Sequence, residues 1–124
     1  MAGKWWIVVG ALAAGLGVAA GAFGAHGLKK VLSPEQLQTF ETAVRYQMYH
    51  AMAIILCGLL MGPYGSKLIP AAGVAFLVGI LIFSGGLYAW VLSEIRAFAL
   101  IVPLGGLSWI AGWILLAIAA ARSR

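Results

Sequence analysis

Four stretches free of Lys, Arg, Asp and Glu constrain this chain more than anything else in it. They run from Trp5 to Ala25, Tyr46 to Ser66, Leu68 to Ser93 and Ala97 to Ala121, with lengths of 21, 21, 26 and 25 residues. A helix needs about 20 apolar residues to cross a hydrocarbon layer about 30 Å thick, so each stretch supports one crossing. Barrel strands would alternate polar and apolar residues, and these runs do not. Of the 124 residues 64% are hydrophobic and 9% charged, whereas a soluble domain carries roughly a quarter charged residues. Lipid is therefore the expected solvent. The chain reads as all-α, an integral membrane four-helix bundle in a single transmembrane domain over 1–124. Its helices are expected at about 5–26, 34–61, 68–92 and 97–121, with an amphipathic N-terminal extension on helix 2.

The net charge of +5 would suit nucleic acid if it were gathered in a patch. The basic residues instead stand at the ends of apolar runs, where they anchor helices at the bilayer surface, so nucleic acid is not an expected partner. Cys57, the one cysteine, has no partner for an intrachain disulfide. The first apolar run exceeds the core of a secretory signal and begins with the interfacial pair Trp5-Trp6, so this helix is expected to be retained. Lys4, Lys67, Arg122 and Arg124 fall on the side of the termini, and Lys29, Lys30, Arg45 and Arg96 on the other. That tie leaves orientation open, tilted slightly toward termini inside because Glu41 is placed to pair with Arg45.

Most of the polar chemistry lies between Gly21 and His50. Gly27 is a natural residue to end helix 1, which would leave His26 in its last turn. Ser33-Pro34-Glu35-Gln36 carries the pattern of a capping box with proline at the first helical position. From Pro34 one helix could run to about Met61. Its first turns place Leu37, Phe40, Val44 and Met48 on one side and Glu35, Gln38, Thr42, Arg45 and Tyr49 on another. Gly62-Pro63-Tyr64-Gly65 reads as a turn, and Ser93-Glu94-Ile95-Arg96 as a tight hairpin. Four crossings then bring His26, Glu41, Arg45, His50, Glu94 and Arg96 to one membrane face or its leaflet. Ionisable groups at membrane depth are costly unless paired or hydrated, so this polar cluster is the candidate site.

Small residues follow helical spacing in several places. Gly10, Ala14, Gly17, Gly21 and Ala25 line one face of helix 1, and Ala72, Ala75, Gly79 and Gly86 line helix 3. Gly85-Gly86 and Gly105-Gly106 lie about equally far from the hairpin, with Gly112 beyond. Lipid tails provide no hydrophobic drive between helices, so such faces act by letting backbones approach. Pro103 would leave the carbonyl of Ala99 without its helical donor.

There is no Walker loop, dinucleotide fingerprint, HExxH or GxSxG sequence, so catalysis is not expected. Two histidines on facing helices are compatible with haem or a metal, but no further ligand motif accompanies them and no cofactor is expected. The leading expectation is a non-catalytic multi-pass protein that packs through its small-residue faces, as a homo-oligomer or an accessory subunit of a larger membrane complex. The alternative is a small-solute or ion channel or transporter using the polar cluster.

Four blocks, GAFGAHGL at 21–28, ETAVRYQMYHAMAI at 41–54, FSGGLYAW at 83–90 and PLGGLSWIAGW at 103–113, together resemble the small membrane proteins grouped as domain of unknown function 423, to which eukaryotic transmembrane protein 256 is similar. The resemblance spans nearly the whole chain. It implies a four-helix protein of the bacterial inner membrane, or of a mitochondrial membrane in a eukaryote, and brings no activity with it. Within the matching blocks it draws attention to His26, Arg45, Tyr46, Gln47, His50, Ser84, Tyr88, Pro103, Gly105, Gly106, Gly112 and Trp113.

Overall fold

A computed structural model describes residues 2–123; Met1 and Arg124, the latter counted above among the charges beside the termini, lie outside the described residues. Four helices are long and apolar enough to cross a membrane: α1 (Lys4–Leu28), α2 (Pro34–Tyr64), α3 (Leu68–Ser93) and α4 (Arg96–Arg122). The architecture is an all-α membrane helical bundle.

α1 does not stop at Gly27. It is α-helical to Phe23 and then widens into a π turn over Gly24–Leu28, in which Gly27 keeps a right-handed backbone. Packing explains the extension. A Cβ on Gly24 would stand 2.7 Å from the Phe40 ring, so the glycine lets that ring lie against the backbone. Leu28, one turn further on, is buried with Phe40 and Val91.

α2 begins as its sequence dictates. The Ser33 hydroxyl accepts the Gln36 backbone N–H at 3.1 Å, and the Gln36 side-chain oxygen accepts the Ser33 N–H at 3.0 Å, so two otherwise unpaired donors at the helix start are satisfied reciprocally. The helix then runs unbroken for 31 residues, about 46 Å, making the amphipathic stretch a direct continuation of the crossing. It also passes the expected end at Met61, taking Pro63 into its last turn. A proline there removes a single helical hydrogen bond. The stop comes at Gly65, in the left-handed conformation (φ 59°), whose N–H reaches the Met61 carbonyl.

α3 carries a second π turn at Ile80–Ser84, and α4 is continuous through Pro103. Between them Glu94 adopts φ 61°, an uncommon conformation for a residue with a Cβ. Its side chain accepts a hydrogen bond from Gln36 at 3.4 Å. One glutamine thus caps α2 and tethers the α3–α4 turn.

α2 is the centre of the bundle. α1 packs along one flank of it, α3 along the other, and α4 pairs mainly with α3. Beyond α2, the Trp6 ring of α1 covers Gly73 on α3. The four helices therefore follow one another in a folded ribbon, with a crevice open between α1 and α3.

Glycine sets how near the helices come. A Cβ on Gly10 would meet the Ala51 carbonyl at 2.8 Å, one on Gly17 the Met48 sulfur at 2.6 Å, and one on Gly21 the Val44 side chain at 3.3 Å. In the α3–α4 hairpin Gly79 lies under the Trp109 ring, and an added Cβ would stand 3.2 Å from the Phe98 carbonyl at Gly86, 2.5 Å from the Phe83 backbone at Gly105 and 2.7 Å from the Phe76 ring at Gly112. The two diglycines do not meet each other. The hairpin register sets Gly105 against Phe83 and Gly86 against Phe98 and Val102, while a Cβ on Gly85 or on Gly106 would meet nothing closer than 3.8 Å and 3.9 Å.

Candidate functional site

Of the six residues of the polar cluster, five are exposed: His26, Glu41, Arg45, Glu94 and Arg96. The end of α1, the start of α2 and the α3–α4 turn do share one end of the bundle, joined by the Leu28, Phe40 and Val91 packing and by the Gln36–Glu94 contact. The charged groups do not converge into a common pocket there. Glu35 and Glu94 line one surface cavity with Gln36, Thr39, Trp90 and Val91. Among the described residues, no hydrogen bond or ion pair joins Glu41 to Arg45, and both residues are exposed. The pairing used above to weigh orientation is therefore not formed.

His50, the sixth, is 6% exposed and lines a surface cavity of about 290 Å³ with Tyr46, Phe83, Trp109 and Trp113. One helical turn earlier, Tyr46 offers its carbonyl to Nδ1 at 2.8 Å; from α4 the Trp113 indole N–H donates to Nε2 at 3.1 Å. A carbonyl only accepts and an indole N–H only donates, so these two bonds define a neutral imidazole with its proton on Nδ1. The ring stacks on Trp109 at 3.9 Å between centroids and 2° between planes. Tyr46, Phe76, Phe83 and Trp113 complete the aromatic enclosure. Trp109 is fixed in turn by donating to the Phe76 carbonyl at 3.0 Å.

A second set of polar groups ties the helices to one another. Gln47 donates to the Ala13 carbonyl of α1 at 2.8 Å and accepts the Tyr88 hydroxyl of α3 at 2.7 Å. Ser84 donates to the Ala43 carbonyl of α2 at 2.7 Å, and Ser108 of α4 to the Ala75 carbonyl of α3, also at 2.7 Å. Ser84 belongs to the π turn of α3. An unpaired polar atom in hydrocarbon costs several kcal/mol, and among the described residues no buried side-chain nitrogen or oxygen lacks a partner.

This arrangement fits a haem or metal poorly. Both nitrogens of His50 are committed, so ligation would require Trp113 or the Tyr46 carbonyl to be displaced. His26 is exposed in the π turn of α1 and shares no site with it. Among the described residues no group of three His, Cys, Asp or Glu side chains is placed to hold a metal ion.

Reading the charged residues alone thus finds His50 and misses its partners. The overlooked signal is a spacing of four: Tyr46 and His50 on α2 and Trp109 and Trp113 on α4 each stand one turn apart on a single helix face. Gln47 was visible too, as an uncharged polar side chain inside an apolar run. Gln47, Ser84, Tyr88 and Trp113 all lie in the blocks singled out above by resemblance; Trp109 was not singled out.

A family model described as protein of unknown function (DUF423) matches residues 20–106. The UPF0382 membrane protein SH2409 of Staphylococcus haemolyticus is 44% identical over 115 residues, 93% of this chain and 93% of its own. The UPF0382 membrane protein SAB0533 of Staphylococcus aureus is 43% identical over 116 residues, 94% of each chain. The UPF0382 membrane protein YwdK of Bacillus subtilis is 38% identical over 120 residues, 96% of this chain and 98% of its own. No solved structure matches the chain. The family match covers the whole of α2 and relatives align along nearly the full length; the chain belongs to the DUF423 family of membrane proteins.

Proposed function

We propose that this protein is a non-catalytic structural unit of a bacterial cell membrane, assembling with copies of itself or as an accessory subunit of a larger membrane complex. The observation that carries this reading is that, among the described residues, every buried side-chain nitrogen and oxygen has a partner within the fold. His50, Gln47, Ser84, Tyr88, Ser108, Trp109 and Trp113 each spend their hydrogen bonds on another part of the fold, which leaves none poised as a nucleophile or general acid. The channel or transporter reading drew on a converging polar cluster, and five of its six members are exposed at one end of the bundle.

The face that serves assembly in this reading is not the expected one. Gly10, Gly17 and Gly21 are turned toward α2. The outward side of α1 carries Ala11, Gly15, Ala19 and Ala22, all exposed, and a Cβ on Gly15 would meet nothing within 4 Å. Such small-residue spacing favours close helix association in lipid. In blue-native electrophoresis after mild extraction, the wild type is expected as an oligomer or complex and Gly15→Leu as a smaller species with unchanged protomer stability. A wild type that runs as a lone 13.0 kDa protomer would remove the proposal.

A further inference from the structure

The outer face of α2 carries charge at a level where lipid is expected. Glu41 and Arg45 are both exposed, and their depth follows from what packs beside them. Val44, next to Arg45, lies on Gly21 of α1, seven residues short of the end of that helix at Leu28. The Ala43 carbonyl accepts the Ser84 hydroxyl of α3, nine residues short of the end of that helix at Ser93. These separations amount to about 10 and 14 Å of helix rise. Helices of 25 and 26 residues overshoot a hydrocarbon layer about 30 Å thick by roughly 4 Å at each end. The turn at Ala43 and Val44 therefore lies about 6 to 10 Å inside the hydrocarbon, with Arg45 deeper and Glu41 shallower but still within it.

Nothing in the bundle covers that face. Gly21, Gly17 and Gly10 of α1 lie on Val44, Met48 and Ala51. Ser84, Tyr88 and Trp113 of the hairpin bond to Ala43, Gln47 and His50. The remaining side of α2 bears Glu41, Arg45, Tyr49, Met52 and Leu56, all exposed. Its deeper part is apolar and suits lipid. The nearest hydroxyl to the two charges, that of Thr42, donates to the Gln38 carbonyl of its own helix. Charged groups facing lipid at this depth are costly unless paired.

The pattern is complementary to itself. Two copies inserted in the same orientation meet about an axis along the membrane normal, which sets equivalent residues at equal depth. Side chains on a helix lean toward its N-terminus, so Arg45 extends toward the turn that holds Glu41, four residues or about 6 Å away. Two α2 faces laid together thus bring each guanidinium to the level of a carboxylate on the other copy. A lipid phosphate would satisfy Arg45 and repel Glu41, whereas a second copy satisfies both.

We propose that two copies of this chain pair through the outer faces of α2, with Arg45 of each on Glu41 of the partner subunit. This interface rests on the self-assembly proposed above and deepens it by naming the residues that select a second copy. It is separate from the outward side of α1.

The test is copurification of two differently tagged copies, coexpressed and extracted in mild detergent. Wild-type copies are expected to recover each other. Arg45→Glu in both copies, or Glu41→Arg in both, sets like charges together and is expected to cut recovery about tenfold or more. Arg45→Glu in one copy with Glu41→Arg in the other restores opposite pairs, and recovery is expected to return to near the wild-type level. Exchanging both residues within each copy should do the same, and either return shows that the variants fold. Separately, Met52→Cys, seven residues beyond Arg45 on the same exposed face, is expected to form disulfide-linked dimers in native membranes, where Cys57 is buried. Copurification that no charge variant alters would leave self-assembly standing and overturn this interface, giving Arg45 to lipid phosphate. Losses that neither exchange restores would place a different protein on the face and overturn it too, as would absence of the Met52→Cys link. Wild-type copies that never copurify would remove both this interface and the self-assembly on which it rests.

Discussion

The two flanks of α2 are held by different physics. Toward α1 the contact is one of close backbone approach, with Gly10 and Gly17 brought against Ala51 and Met48 and one hydrogen bond, Gln47 to Ala13, across the seam. Toward α3 and α4 it is aromatic and hydrogen-bonded, with His50 between Trp109 and Trp113 and Ser84 tied to the Ala43 carbonyl. In lipid, where burial of apolar surface gives no net drive, helices are held by dispersion at short range or by hydrogen bonds. This chain uses the first on one side and both on the other. Of the apolar stretches that span the membrane, 17% of α1 and 22% of α4 are buried, against 39% of α2 and of α3, so the two outer helices are the less covered and α1 the least.

The largest effect should come from closing the glycine gap on the aromatic side. Gly105→Leu would drive a side chain into the Phe83 backbone, which cannot yield as a side chain can. We expect a loss of about 3 kcal/mol or more, read as an earlier midpoint in SDS titration from mixed micelles; an unchanged midpoint would mean that α3 and α4 are not in this register. His50→Leu comes next. It removes the acceptor for Trp113 and the stack on Trp109, for about 2 kcal/mol, and the emission of the tryptophans should shift with it. A stability loss without any spectral change would refute the enclosure. Gln47→Leu should cost about 1 kcal/mol, since interhelical hydrogen bonds in membranes are individually modest. Gln47 joins α1 to α3 and His50 joins α2 to α4, but the two stand three residues apart on α2, near enough to couple, so the double variant is needed to separate them. A coupling above about 0.5 kcal/mol would show that the two flanks act as one unit.

Elements set by local chemistry could be read directly from the residues. The four crossings follow from uninterrupted apolar runs, and the start of α2 from Ser33, Pro34 and Gln36. What escaped reading depends on contacts far along the chain. The π turn at Ile80–Ser84 coincides with Ser84 reaching the Ala43 carbonyl and with Phe83 lying on Gly105, and no local pattern announces either. The ends of α1 and α2 were placed too early because a glycine and a Gly-Pro pair were weighed as stops. Leu28 packing carries the first helix on, and a left-handed Gly65 delays the end of the second. Charge was taken as the marker of a shared site, while the groups the fold brings together are neutral, namely an imidazole, a carboxamide, hydroxyls and indoles.

α1 leans almost wholly on α2, and that has a consequence for how the chain is made. Synthesis delivers α1 into the bilayer first, where its glycine face must stand against lipid until the only helix able to cover it has followed. During that interval Gly10, Gly17 and Gly21 are open to any neighbouring helix, so slowing the arrival of α2 should favour mispaired α1 segments over the native fold.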